Sequence, residues 1–335
     1  MPSVSVILPN YNHSKELRIS LLAAATQTRS ADEIIIIDDA STDASLSVIE
    51  GFAGRFSNIR MLRNSERCGV SKTVSRGLAE ARGDYVVMAS ADEKMLPTMI
   101  ERLLAAARAF PQARMITSSY TQWWPERDEV CVHGRDSENG PWFLGTSEPA
   151  FISPERLHQL LRLSFVWFGI NTAMFDRSVL VEVGGYDPDL RWHSDWFVSY
   201  AIAFKYGAVV VPESLALFRE AEHSYSAVGM RDARQQRDVA LAIQRKLRDP
   251  QFDYFYRAVM RSPAVISTFL RPTLLALPRH PSMYPMLLAI LRWWFLEVMH
   301  GRRPGAWARL LHGGKMPQPV LPPDGFGIHP AERSD

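Results

Sequence analysis

Between residues 3 and 117 the chain alternates two kinds of pattern. Ser3–Leu8, Glu33–Ile37, Ile59–Leu62, Tyr85–Met88 and Ala113–Thr117 are short apolar or β-branched runs, which predict strands. Between them, Leu17–Thr26, Leu46–Phe52, Lys72–Ala81 and Thr98–Phe110 place apolar residues at helical spacing. The last of these follows Pro97, a residue type favoured at helix starts. Buried strands separated by helices predict an α/β architecture, a mostly parallel, Rossmann-like sheet with helices on both faces.

From Ser118 to about Ser164 the alternation breaks. Trp123, Trp124, Trp142 and several turn residues predict an irregular segment here, closing in a helix over Pro154–Leu163. The pattern resumes with a strand at Thr172–Phe175, a Gly184-Gly-Tyr-Asp187 turn, a helix across Trp196–Phe204 and a strand at Ala208–Val211. Three regions follow from this reading: residues 1–115, residues 116–230, and a basic, helical extension over residues 231–335 with a Pro-rich, loosely held tail from Pro317.

Composition narrows the function classes. Of 335 residues, 47% are apolar and 22% charged, enough apolar material for a sizeable core. A net charge of +2 gives no argument for nucleic acid. Two cysteines, Cys68 and Cys131, cannot make a disulfide framework, so a reducing compartment fits. The N-terminus lacks a charged stretch followed by an apolar one, and no run reaches the ~18 apolar residues of a spanning helix. The expectation is a protein on the cytoplasmic side.

Three acidic constellations carry candidate chemistry. Asp38 and Asp39 end the isoleucine run, at the carboxyl edge where open α/β sheets bind ligands. Ser41, Thr42 and Asp43 after them suit a helix cap. Ser90-Ala91-Asp92-Glu93 ends the fourth strand, where a carboxylate and diphosphate oxygens together suit a hard divalent cation, although an acidic helix start reads the same way. Asp195 opens an apolar helix after the GGYD turn, where the helix dipole favours its ionised form. There it reads either as a general base or as an ordinary acid of a helix's first turn.

In this order the residues resemble the family-2 inverting glycosyltransferases of GT-A fold, over about residues 3–226. The resemblance rests on Val4–Asn12 with Pro9-Asn-Tyr11-Asn, Gln27-Thr28, Asp38-Asp39-Ala-Ser-Thr-Asp43, Gly69, Gly77 and Ala81-Arg-Gly83-Asp84-Tyr85. It continues through Asp92 with Pro97, Gly184-Gly-Tyr-Asp187 and Asp195-Trp196. It departs at Ser90 and Ser194, where the family usually has acids, at Glu93, commonly Asp, and at Val74-Ser75, frequently Arg-Asn.

The resemblance implies that residues 1–115 bind a nucleotide-sugar and residues 116–230 an acceptor. Pro9, Tyr11, Asp38 and Asp39 would hold base and ribose, and Ser90, Ala91 and Asp92 the rest of the donor. Asp92 would bind Mn²⁺ or Mg²⁺. Arg219 and His223 fall near a family Arg-x-His element beside the diphosphate, His223 as a further metal ligand, with spacing longer by a residue or two. Asp195 would be the catalytic base. The implied reaction moves a sugar with inversion, from a UDP-sugar, to a glycan or lipid-linked glycan in cell-surface polysaccharide assembly.

Trp123, Trp124, Trp192 and Trp196, with Trp142 and Trp167 nearby, lie in the acceptor half, where indole faces can stack on sugar rings or simply fill the core. Two other readings stand beside the enzyme. One, raised by Ser90 and Ser194, is a non-catalytic nucleotide-sugar-binding or scaffolding protein. The other, a nucleotidyltransferase, is disfavoured because no Gly-rich, Lys-containing loop follows the first strand.

Met283–Met299 is a second puzzle, an apolar stretch with paired tryptophans followed by His300-Gly-Arg302-Arg303. Arg292 and Glu297 argue against spanning. The segment reads either as an interfacial membrane helix or as one packed on the catalytic domain or a second subunit of a homo-oligomer.

Overall fold

The computed structural model describes residues 2–124, 129–132, 148–163, 168–219, 225–276 and 280–299. Strands β1 (Val4–Asn10), β2 (Glu33–Asp38), β3 (Ile59–Arg63) and β4 (Tyr85–Met88) pair in parallel in the order β3-β2-β1-β4. Helices α1 (Glu16–Ala25), α2 (Ser45–Ala53) and α3 (Val70–Glu80) connect them. The predicted boundaries hold to within about two residues in this half, as expected where apolar periodicity is strong.

The isoleucine run shows why these strands are apolar at successive positions. Ile34 and Ile36 face one core with Val4, Val6 and Leu8, beneath α1, α2 and α4 (Met99–Ala109). Ile35 and Ile37 face the other, with Ile7, beneath α3. Each fully buried Ile contributes about 1.5–3 kcal/mol. Helix α3 lies so close to the sheet that a Cβ on Gly77 would sit 2.7 Å from Ile37 Cδ1 and from Ile7 Cγ2.

The sheet continues past β4 with β9 (Ala173–Asp176), β6 (Met115–Trp124), β10 (Ala208–Arg219) and the short β5 (Lys94–Met95). It is mixed here, because β9 runs antiparallel to both β4 and β6. Off this path, β7 (Glu129–Val132) pairs with β6 and β8 (Ala150–Ile152) with β10.

Two expectations fail in this half. Residues 118–124 form the second part of β6 rather than an irregular segment, paired along β10 as far as Trp123 and Arg219. Polar Ser118, Ser119, Thr121 and Gln122 hide the strand in the sequence, yet all are buried, and Thr121 and Ser214 place their hydroxyl oxygens 2.7 Å apart. β10 in turn runs eight residues beyond Val211, passing Pro212 through register shifts on either side of Ser214.

The C-terminal helices complete the core on α3's face of the sheet. Helices α5 (Pro154–Leu163), α6 (Arg177–Glu182) and α7 (Ser194–Tyr206) share it with α9 (Ala233–Leu247) and α10 (Asp253–Arg261). α8 (Tyr225–Arg231) leads into α9, and α11 (Leu270–Ala276) and α12 (Tyr284–Met299) follow. Met283, Met286, Leu287 and Ile290 are buried in that core, so α12 packs one face on the protein.

Candidate active site

β1 and β2 end side by side, with Asn10 opposite Asp38. Asn10 Nδ2 donates to Asp38 Oδ1 at 3.0 Å, and the Ser41 amide to Asp38 Oδ2 at 2.9 Å. The Asn12 amide donates to Ser41 Oγ at 3.0 Å, while Asn12 Oδ1 accepts from the Thr42 amide at 2.8 Å. These bonds staple the loop carrying Tyr11 to the loop after β2 and hold Asn12 and Ala40 at φ 55° and 60°. Asp38 is fully buried and serves as the inner bracket of this staple. Ser41 belongs to it too, and at the start of α2 Asp43 Oδ1 accepts from the Ser45 amide at 2.9 Å while the N-cap position itself is Ala44.

Asp39 reaches the other way. Its Oδ1 accepts from Asn64 Nδ2 at 2.7 Å and the Cys68 amide at 2.8 Å, and its Oδ2 accepts from the Gly69 amide at 2.8 Å. Burial alone would raise this carboxyl, but the bonds from Cys68, Asn64 and Gly69 outweigh it and hold the group below its ordinary range. A carboxylate offers about four acceptor positions, and three are taken by the loop entering α3. On that loop, the Arg67 guanidinium stacks over the Tyr11 ring at 4.1 Å. Sequence reasoning missed Asn64 and Arg67; the polar run Arg63-Asn-Ser-Glu-Arg67 before Gly69 was the available signal.

At the end of β4, the Ser90 hydroxyl donates to Asp92 Oδ1, and Ser20 Oγ of α1 donates to the Ser90 carbonyl at 2.5 Å. Asn171 Nδ2, from the turn before β9, donates to Glu93. No group of three His, Cys, Asp or Glu side chains gathers here or elsewhere among the described residues. The local donors are all hard oxygens, a set that fits Mn²⁺ or Mg²⁺ when a diphosphate completes the shell and not otherwise. Arg219 Nη1 at the end of β10 is paired with Glu16 Oε1 of α1 at 2.7 Å. His223 lies outside the described residues, as do Trp142 and Trp167.

Asp195 stands in the first turn of α7, as expected, but its electrostatics differ from the helix-dipole expectation. Its side chain keeps some opening to the surface, yet the atoms packed around it strip enough solvent to push the carboxyl up to about 6. Bonds from the Trp196 amide and its own amide oppose this only in part. Burial also holds the nearby Tyr186 hydroxyl in its neutral form, and the Asp195 charge adds to that effect.

The turn that carries Asp195 is fixed from three sides. Ser194 Oγ donates to the Asp187 carbonyl at 2.7 Å, Lys246 Nζ of α9 to Asp187 Oδ2 at 2.7 Å, and Ser75 Oγ of α3 to the Tyr186 carbonyl at 2.9 Å. Ser75 and Ser194 thus hold the turn at Tyr186 and Asp187. The same helix α3 begins at the loop that Asp39 holds, so one rigid element joins the two acidic groups.

The tryptophans divide. Trp123 is buried in β6 against Leu217, Ile19 and Leu96, and Trp124 is half-buried at the strand's end. Trp192 is buried against Gly229 of α8, where an added Cβ would meet its ring at 2.1 Å. Trp196 packs edge-on to Phe269 at 5.1 Å. The indole N–H groups of Trp192 and Trp196 are buried without an acceptor among the described residues.

The sequence profile of Glycosyl transferase family 2 matches residues 5–163. An uncharacterized glycosyltransferase of Escherichia coli, YibD, is 38% identical over 104 residues, which cover 31% of this chain and 30% of that protein. The match therefore spans under a third of that relative's length. Staphylococcus aureus TarS 1–349, solved in complex with UDP-GlcNAc, superimposes with a TM-score of 0.55 at 15% identity, covering 90% of this chain and 92% of that 1–349 chain. The mannosyltransferase PcManGT of Pyrobaculum calidifontis, solved with GDP-Man and Mn²⁺, gives 0.52 at 18%, covering 94% and 88%. These two share the fold.

Proposed function

Residues 5–163 belong to glycosyl transferase family 2, and on that premise we propose that the chain transfers a sugar with inversion from a UDP-sugar to a glycan or lipid-linked glycan of the cell surface. The observation that carries this reading is the pair of acidic groups joined through α3, Asp39 holding the loop beside Tyr11 and Asp195 held near neutrality in its pKa.

In the proposed reaction Tyr11 and Pro9 flank the base, and Asp39 fixes the loop that encloses it while offering its remaining acceptor position. Asp195 accepts the proton of the acceptor hydroxyl as that oxygen bonds to the anomeric carbon. The bond from that carbon to the diphosphate oxygen breaks, and the nucleoside diphosphate leaves with the electron pair. A carboxyl near 6 is ionised at neutral pH yet basic enough to take a proton. A divalent cation would offset charge on the departing diphosphate. Asp92 would hold it, with Ser90 and Ala91 lining the same turn, and Arg219 would stand one turn along α1 from Ser20, paired with Glu16.

The test is thermal protection by UDP, dTDP and GDP with and without Mn²⁺, followed by donor hydrolysis in wild type and Asp195→Asn. Metal-dependent protection by UDP, with hydrolysis lost in the variant, is the expected result. Absence of protection by every nucleotide would overturn the proposal.

A further inference from the structure

The reading of α12 as a packed helix holds for one of its faces, and the other face is informative. Its inner face is sealed into the core by Met286, Leu287 and Ile290. Its outer face carries Tyr284, Leu288, Leu291, Phe295 and Met299, spaced four, three, four and four residues apart, a single stripe along the helix. Leu288 is 62% exposed, Phe295 58% and Met299 67%. No polar residue interrupts that stripe, and Arg292 falls at its margin, on the side away from the core.

Two properties decide what could cover such a face. The helix has 16 residues, a rise of about 24 Å, too short to cross a bilayer core of about 30 Å. No helix among the described residues is long and apolar enough to span. Charge supplies the second property. Residues 253–303 contain seven arginines against Asp253 and Glu297, in a chain whose total is only +2. A monotopic helix with an apolar stripe and an arginine at its edge, in a stretch of chain rich in arginine, matches an anionic lipid surface in both chemistry and sign.

We propose that the outer face of α12 docks the protein on an anionic membrane surface. Leu288, Leu291 and Phe295 enter the acyl boundary, while Arg292 reaches back to the headgroups. The surface is connected to the candidate base. α12 packs on the turn Pro263–Phe269, and Phe269 packs on His193 and Trp196, the residues flanking Ser194 and Asp195. The docking does not depend on the donor assignment, so it stands or falls separately from it.

The experiment is co-flotation of the full chain with vesicles of phosphatidylcholine alone or with phosphatidylglycerol added, for wild type and Leu288→Asp/Phe295→Asp. Both positions are exposed, so an unchanged melting temperature checks that the double variant folds. The expected result is wild-type flotation only with the anionic vesicles, weakened by salt and reduced about a hundredfold in the double variant. Wild type that stays behind with every vesicle overturns the proposal. So does a wild-type dimer by light scattering that the variant converts to monomer without any change in flotation, because a second copy then covers the stripe.

Discussion

The Arg67 guanidinium lies 4.1 Å above the ring of Tyr11 and covers one face of it. A nucleobase and a guanidinium cannot both occupy one ring face, so the base must displace the arginine or arrive from the other side. With Arg67 exposed and Tyr11 half-buried, the contact is worth only about 0.5–1 kcal/mol, whereas stacking a base on an aromatic ring is worth about 1–3 kcal/mol. Tyr11→Ala is therefore expected to weaken UDP binding about ten- to hundredfold, and Arg67→Ala to change it by less than about fivefold. Titration calorimetry with UDP reads both. A larger loss at Arg67 than at Tyr11 would show that the cation, not the ring, recognises the nucleotide.

Asp39 has a structural duty that can be separated from its binding one. Its carboxylate accepts three bonds that hold the loop at Asn64–Gly69. Asp39→Asn replaces an acceptor by an amide donor facing donors, which costs about 1–3 kcal/mol. Because the folded carboxyl lies below its ordinary value of 3.8, the stability it contributes is fully present above that value and is lost as pH falls below it. Urea unfolding should thus show wild type and variant converging as pH falls below ~4, and a gap that stays constant there would remove the charge from the explanation.

Gly77 makes a similar claim about packing. Any Cβ there meets Ile37 and Ile7 at 2.7 Å, and both side chains are fully buried. Gly77→Ala gains up to about 1 kcal/mol of helix propensity but overpacks the α3–sheet interface by about 1–3 kcal/mol. The net expectation is destabilisation, read as a lower urea midpoint with unchanged slope. Since α3 joins the Asp39 loop to the Tyr186 turn, UDP protection should weaken with it.

Much of this was legible because the N-terminal strands are buried on both faces. Residues such as Ile34–Ile37 leave no polar position to blur the period, and the acids that follow them mark the strand ends. Residues 118–124 were misread for the opposite reason. Their buried Ser and Thr hydroxyls find partners across the sheet, an arrangement that composition cannot reveal. Asp39 was legible as an important acid, but its three donors come from residues 25–30 positions later, beyond the reach of any local pattern. Asp195 lies at a helix start as its pattern predicts, yet the sign of its pKa shift depends on burial, which no local pattern reveals. The exposed stripe of α12 was visible as apolar residues, and only the packing of the opposite face showed which of them remain outside.

The Asp195 carboxyl makes the sharpest prediction, because its function and its stability point in opposite directions. Its folded value of about 6 exceeds the ordinary 3.8, so between these values the folded state holds a proton that the unfolded chain has released. Stability from this group is therefore fully present below 3.8, falls as pH rises toward 6, and levels off above it. At neutral pH the ionised group is a net cost, on the order of 1–3 kcal/mol. Asp195→Asn should raise the melting temperature at pH ~7.5 and change it little at pH ~4. The same substitution should lower sugar transfer about 10²- to 10⁴-fold while leaving UDP affinity within about twofold. In the wild type, transfer should rise with pH through a limb near 6, as the base becomes ionised. A transfer rate that stays flat across pH ~5–7, with donor binding intact, would assign the proton to another group.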